Sequence, residues 1–94
     1  MSDLIDEAVK ALDARIDDFD GNAKFVFGDE GTIMLDSSGA RAGDGEADVT
    51  LTAEPDTFRA IFEGELDPTA AFMSGKLSVD GDLGQAMKLA GALS

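Results

Sequence analysis

The chain has 94 residues, 44% of them hydrophobic and 29% charged, a globular balance that argues against disorder and against a membrane span. Twenty acids against seven bases give a formal charge of −13, a field that repels phosphate backbones and makes nucleic acid an unsuitable partner. Cysteine and histidine are both absent, which removes disulfides, thiolate nucleophiles and imidazole bases together.

Ile5, Ala8, Val9, Leu12, Ile16 and Phe19 recur at helical spacing with acids and a lysine between them, so an amphipathic helix opens the chain. DDFDGN, residues 17–22, supplies turn formers and a glycine to end it. From Ala23 the period changes to two. Phe25 and Phe27 alternate with Lys24 and Val26, and after GDEG the pattern resumes at Ile33 and Leu35, which predicts a β-hairpin turning at Asp29-Glu30-Gly31. Residues 36–47, DSSGARAGDGEA, contain no large apolar side chain and read as a connection. DVTLT then places Val49 and Leu51 on one face of a further strand.

Pro55 stands at a first helical position, with Phe58, Ile61 and Phe62 behind it and Gly64 as the stop. Asp67-Pro68 repeats the start signal, an N-cap acid followed by a proline whose missing N–H costs nothing there, ahead of Ala70, Ala71, Phe72 and Met73. Gly75 ends that helix. Leu77 and Val79 alternate as a fourth strand, and Asp82 with Gln85 makes a capping-box-like pair before a closing helix that carries Leu83, Ala86, Met87, Ala90 and Leu93. This order is expected to give a single α+β domain over residues 1–94, mostly antiparallel, with helices packed on one face. A chain this short buries only roughly 60–65% of the surface its unfolded form exposes, so its core is thin.

The acidic start MSDLIDEAV lacks the basic region of a secretory signal, and no apolar run approaches the ~20 residues of a membrane helix. A cytoplasmic protein without an integral membrane segment is the expectation. Catalytic and metal signals fail individually. Ser74 in FMSGK lacks the rest of a G-x-S-x-G elbow. Acid pairs such as residues 17–20 and Glu63-Gly64-Glu65 are what twenty acids produce by chance, although one of them raised by burial would give an acid catalyst. A calcium loop with Gly21 at its sixth position puts Ile16 first and Phe27 twelfth, and one with Gly81 sixth puts Lys76 first. No G-x-G-x-x-G or Walker string occurs, and Glu46 and Asp48 after Gly43-Asp44-Gly45 would repel a phosphate. No cofactor, metal or catalytic residue is therefore expected.

What remains are the large apolar residues Phe58, Ile61, Phe62, Leu66, Phe72, Met73, Leu83, Met87 and Leu93. They either fill the core or line an adaptable apolar pocket, and periodicity does not choose between the two. A third possibility is that Phe58, Phe62 and Phe72 form a face that docks a partner protein. The stretch from Ala47 to Leu89 resembles the sterol carrier protein type-2 family. The resemblance lies in Asp48 and Thr50 of "D-x-T", Gly64 to Pro68 of "G-x-L-D-P", Phe72 to Leu77 of "F-x-S-G-K-L" and Gly81 to Leu83 of "G-D-L". It implies a sheet of four to five strands whose helices enclose a pocket for a fatty acid, acyl-CoA, sterol or isoprenoid. It also implies a non-catalytic role, as a lipid carrier or as an accessory module presenting a lipid substrate to a lipid-metabolising enzyme. Phe58, Ile61, Phe62, Leu66, Phe72, Met73, Leu83 and Met87 become the candidate pocket walls, and Arg59, Lys76 and Lys88 the candidate contacts for an anionic head group.

Overall fold

The computed structural model describes residues 3–16 and 19–93. Helix α1 (Asp3–Arg15) buries Ile5, Ala8 and Leu12 along one stripe, and Ile16 and Phe19 continue into the core after the helix has ended. The apolar period thus outlasts the helix. The expected turn over residues 17–22 falls partly on Asp17 and Asp18, which lie outside the described residues.

Five strands follow the order β3-β2-β1-β4-β5 in one sheet: β1 (Ala23–Phe27), β2 (Thr32–Asp36), β3 (Gly39–Ala42), β4 (Val49–Ala53) and β5 (Leu77–Gly81). Every pairing is antiparallel except the central one, where β1 and β4 run parallel. Alternation puts Ala23, Phe25 and Phe27 on the inner face beside Val49, Leu51 and Ala53, and the register extends one inner row as Ile33, Phe25, Leu51 and Val79. The hairpin between β1 and β2 closes where expected, with the Phe27 N–H donating to the Gly31 carbonyl at 2.9 Å.

Strand β3 corrects the expectation of a plain connection over residues 36–47. Gly-Ala-Arg-Ala offers no large apolar or β-branched side chain, so it carries no alternation to detect. Backbone pairing to β2 forms it instead, after a turn in which the Ser38 N–H donates to Asp36 Oδ1 at 2.8 Å. As the sheet edge it would expose free N–H groups. Asp13 of α1 accepts one of them, from Ala40, at 2.8 Å. Arg41 lies 2.9 Å from Asp36, and its guanidinium, helped by the Ser38 N–H, holds the Asp36 carboxyl below its ordinary value. Lys24 does the same to Asp44 across 2.9 Å, with Asp44 in the segment after β3.

Helices α2 (Pro55–Phe62) and α3 (Pro68–Met73) begin on their prolines, and Asp67 Oδ2 accepts the Ala70 N–H at 3.2 Å. Both end in the same way. Gly64 (φ +81°) and Gly75 (φ +83°) take the left-handed conformation, and the next N–H, from Glu65 or Lys76, reaches back to Ala60 or Ala71 at 2.9 Å. Helix α4 (Leu83–Leu93) starts differently from the expected reciprocal capping box. Asp82 Oδ1 does accept from Gly84 (2.9 Å) and Gln85 (3.3 Å), but Gln85 Nε2 turns away to Asp48 Oδ2 (3.2 Å). The Asp82 N–H that Gln85 would have capped donates instead to the Asp48 carbonyl at 2.9 Å. Tertiary pairing displaced the local motif.

The helices divide the inner face between them. α1 lies over β2 and β3, while α3 packs on β5 and α4 on β4 and β5.

Candidate functional site

Where α2, α3 and α4 roof β1, β4 and β5, their side chains do not meet across the gap. A cavity of about 300 Å³ remains. Its floor comes from the sheet, through Phe25, Leu51, Leu77 and Val79. On α2, Phe58 and Ile61 project three residues apart onto that floor, each only 1% exposed. The Phe58 ring stacks on Phe27 with centroids 4.3 Å apart and meets Phe25 edge-on at 5.9 Å, so this end of the cavity is closed by interlocked rings. On α3, Ala71 points into the core while Thr69, Phe72 and Met73 face the cavity; on α4, Ala86, Leu89 and Leu93 line it as buried residues, Ala90 as a half-buried one, and Leu83 and Met87 from the rim.

Four lining residues are exposed: Phe72 at 49%, Leu83 at 61%, Met87 at 75% and Met73 at 81%. They mark the mouth, on α3 and α4. Among the described residues the lining contains no ionisable group, and Thr69 alone carries a polar side chain. In a chain with 29% charged residues that is a strong segregation. Such a surface recognises shape and apolar area, with the Thr69 hydroxyl as its one side-chain hydrogen-bonding group among the described residues. No group of three or more His, Cys, Asp or Glu that could hold a metal occurs among the described residues.

Six of the eight expected wall residues meet here: Phe58, Ile61, Phe72, Met73, Leu83 and Met87. Phe62 and Leu66 stand apart from the lining. Phe62 is half-buried on the flank of α2, its ring 6.0 Å from Phe58 and 6.1 Å from Phe27, and Leu66 packs against the core from the loop after α2. The helical period could not separate Phe58 from Phe62, because positions four apart share a face until a neighbouring element claims one of them. Equally, the strand residues Phe25, Leu51, Leu77 and Val79 were legible as inward-facing but not as walls. The three candidate head-group cations are exposed and outside the lining. Arg59 Nη2 sits 3.7 Å from Glu7 Oε2; Lys76 follows α3, and Lys88 is next to Met87 on α4. Glu63 and Glu65 are exposed beside Gly64, away from the cavity, and Asp17 and Asp18 lie outside the described residues.

One residue escaped notice in the sequence. Arg15, at the end of α1, donates through Nη1 to the Leu93 carbonyl at 2.9 Å and through Nη2 to the Phe62 carbonyl. A single guanidinium thereby satisfies the carbonyl ends of both α2 and α4, where the helix dipoles favour a cation. Its partners are backbone atoms 47 and 78 residues away, so no side-chain pattern announces it. Arg15→Met, which keeps the stem and loses the donors, is expected to cost about 1–3 kcal/mol and to accelerate amide exchange most in residues 83–93. Uniform acceleration across the sheet would show that the bond does not hold α4 specifically.

A five-stranded sheet roofed on one half by helices around an apolar, open-mouthed cavity defines a domain built to receive a hydrophobic molecule. The model of the SCP-2 sterol transfer family matches residues 2–94, and the chain belongs to that family. It is 41% identical over 92 residues to the hydroxysteroid dehydrogenase-like protein 2 of Mus musculus, a match covering 92% of this chain and 18% of that protein. The chain therefore spans less than a fifth of that relative's length. Among solved structures, sterol carrier protein 2 of Aedes aegypti in complex with palmitate superposes with a TM-score of 0.79 at 24% identity, over 100% of this chain and 97% of that one. Palmitated SCP2L2 of the same organism superposes with a TM-score of 0.72 at 26% identity, covering 99% and 95%. Among the described residues, no helix is long and apolar enough to cross a membrane.

Proposed function

We propose that this domain holds the hydrocarbon portion of one lipid in the cavity between α2, α3, α4 and the sheet. As a non-catalytic carrier, it would deliver that lipid or present it to an enzyme. The carrying observation is the lining itself, a hollow of about 300 Å³ without an ionisable side chain among the described residues. That volume lies at the lower bound of ligand pockets, roughly 300–1,000 Å³. The open mouth lets a longer chain protrude. Fatty acids, acyl-CoA, sterols and isoprenoids all supply the apolar body required, and the palmitated SCP2L2 of Aedes aegypti supports the first of these. Burying about ten methylenes at ~0.8 kcal/mol each gives roughly 8 kcal/mol, of which several are offset by lost ligand motion, so a micromolar dissociation constant is expected.

Phe58, Ile61, Phe72, Met73, Leu83 and Met87 act as walls in this reading, and Lys76 or Lys88, on the elements that frame the mouth, would meet an emerging carboxylate. The match to one segment of a dehydrogenase-like relative supports an enzyme as the lipid's destination. A cysteine-free composition fits work in the reducing cytoplasm.

Ala90→Phe tests the hollow directly. Ala90 lines the cavity from α4, and a phenyl ring there takes up space that the ligand needs. A fluorescent fatty-acid displacement titration is expected to show at least about tenfold weaker binding, while stability holds or rises because a void has been filled. Unchanged affinity, or no fatty-acid binding by the parent protein, would remove the proposal.

A further inference from the structure

The charge of this chain is distributed unevenly. Residues 68–94 contain two acids, Asp80 and Asp82, and two lysines, Lys76 and Lys88, so their net charge is zero and the whole −13 resides in residues 1–67. Neither acid lines the cavity. Asp82 is engaged in capping α4, and Asp80 alternates with Leu77 and Val79, which line the cavity, so it projects from the opposite face of the sheet. The mouth is thus rimmed by Phe72, Met73, Leu83 and Met87, four exposed apolar side chains on two helices that carry no acid at all.

We propose that this rim is a docking surface for the uncharged, zwitterionic face of a phospholipid bilayer, through which the lipid enters and leaves the cavity. The proposal rests on the reading of the cavity as a lipid site, and adds where and on what the domain docks. An acyl chain that passes between bilayer and cavity avoids water only if the mouth itself meets the membrane, and flexible Met side chains with Leu and Phe suit shallow insertion at the headgroup boundary. Charge selects the surface. At low ionic strength the Debye length, roughly 30 Å at 0.01 M, reaches across the molecule's 30 × 28 × 21 Å extents, so the acidic body is repelled by an anionic leaflet and by a second copy of itself. A zwitterionic surface imposes no such cost, and a basic protein would be drawn to the acidic residues 1–67 instead of to the neutral rim.

The experiment is partitioning of the full chain onto vesicles at low ionic strength, by flotation, beside a titration with soluble fatty acid. Pure phosphatidylcholine vesicles should bind the protein, and replacing a third of the lipid by phosphatidylserine should weaken binding. The double variant Ala70→Glu, Gly91→Glu adds two acids to these acid-free helices, next to Met73 and Met87 at helical spacing and outside the cavity lining. It should lower partitioning onto phosphatidylcholine by about tenfold and leave the affinity for soluble fatty acid unchanged. Protein that binds soluble fatty acid but ignores phosphatidylcholine vesicles would overturn the docking proposal alone, whereas protein that binds neither would take the cavity reading with it. Tighter binding to phosphatidylserine, or partitioning indifferent to the double variant, would also overturn it. So would a concentration-dependent dimer in sedimentation that the variant dissociates, since a second copy would then be the occupant.

Discussion

Phe58→Ala is expected to lower the free energy of unfolding by about 3–5 kcal/mol. The ring is 1% exposed, stacks on Phe27 and meets Phe25 edge-on, so its removal sacrifices both its buried area and two favourable aromatic geometries. Its neighbours cannot collapse into the gap, because Phe25 and Phe27 are fixed by strand pairing on both sides of β1. For a chain of this size each kcal/mol moves the melting temperature by roughly 4–8 °C, a shift that calorimetry or denaturant titration resolves easily. The vacated space joins the cavity of about 300 Å³, so a bulkier ligand should now gain affinity relative to palmitate. A ligand present at a hundred times its dissociation constant returns about 2.7 kcal/mol, which would restore much of the lost stability. Phe62→Ala provides the contrast. That residue is half-buried and outside the lining, and its carbonyl accepts from Arg15 whatever the side chain, so its loss should cost clearly less and leave ligand preference unaltered. Equal costs at the two positions would mean that the aromatic cluster does not close the cavity in the way described.

Gly81→Ala is expected to be nearly as severe, at about 2–5 kcal/mol, for a backbone reason. Gly81 has φ +105°, and a Cβ there would overlap the Asp48 carbonyl oxygen and lie 3.1 Å from the Val49 Cα. These are backbone atoms at and just before the start of β4, with no side-chain rotation available to relieve the overlap. The same Asp48 carbonyl accepts the Asp82 N–H from which α4 departs, so the displacement would tilt the helix that supplies one wall of the cavity. Fatty-acid affinity should therefore fall along with stability. Gly91→Ala, in the same helix with open space around its Cβ, should instead stabilise by about 0.5–1 kcal/mol. Thermal unfolding of the two variants side by side separates the steric requirement at residue 81 from the general cost of altering a glycine.

Local rules account for what was legible in the sequence. Pro55, Pro68 and Asp67 announce helix starts and Gly64 and Gly75 announce stops, because caps and φ restrictions act within a few residues. Alternation located β1, β2, β4 and β5, and the motif string from Ala47 to Leu89 identified the family whose model matches the chain. Where a non-local partner competed with a local one, the sequence was misleading or silent. Gln85 abandoned the capping box for Asp48, and β3 formed without any side-chain signal because β2 offered it a ladder. Arg15 acquired its role only when two distant helix ends arrived beside it.

By itself, then, the sequence determined the kinds and order of most elements, the absence of imidazole and thiol chemistry, and the neutral, apolar character of residues 68–94, all of which are properties of composition or of near neighbours. Only the tertiary structure decided that β1 runs parallel to β4, that Phe58 but not Phe62 faces the hollow, and that a hollow exists at all. An empty volume is the difference between the envelope set by helix and sheet positions and the side chains that fill it. No residue encodes that difference, and a small change in how α4 lies over β4 and β5 would open or abolish it.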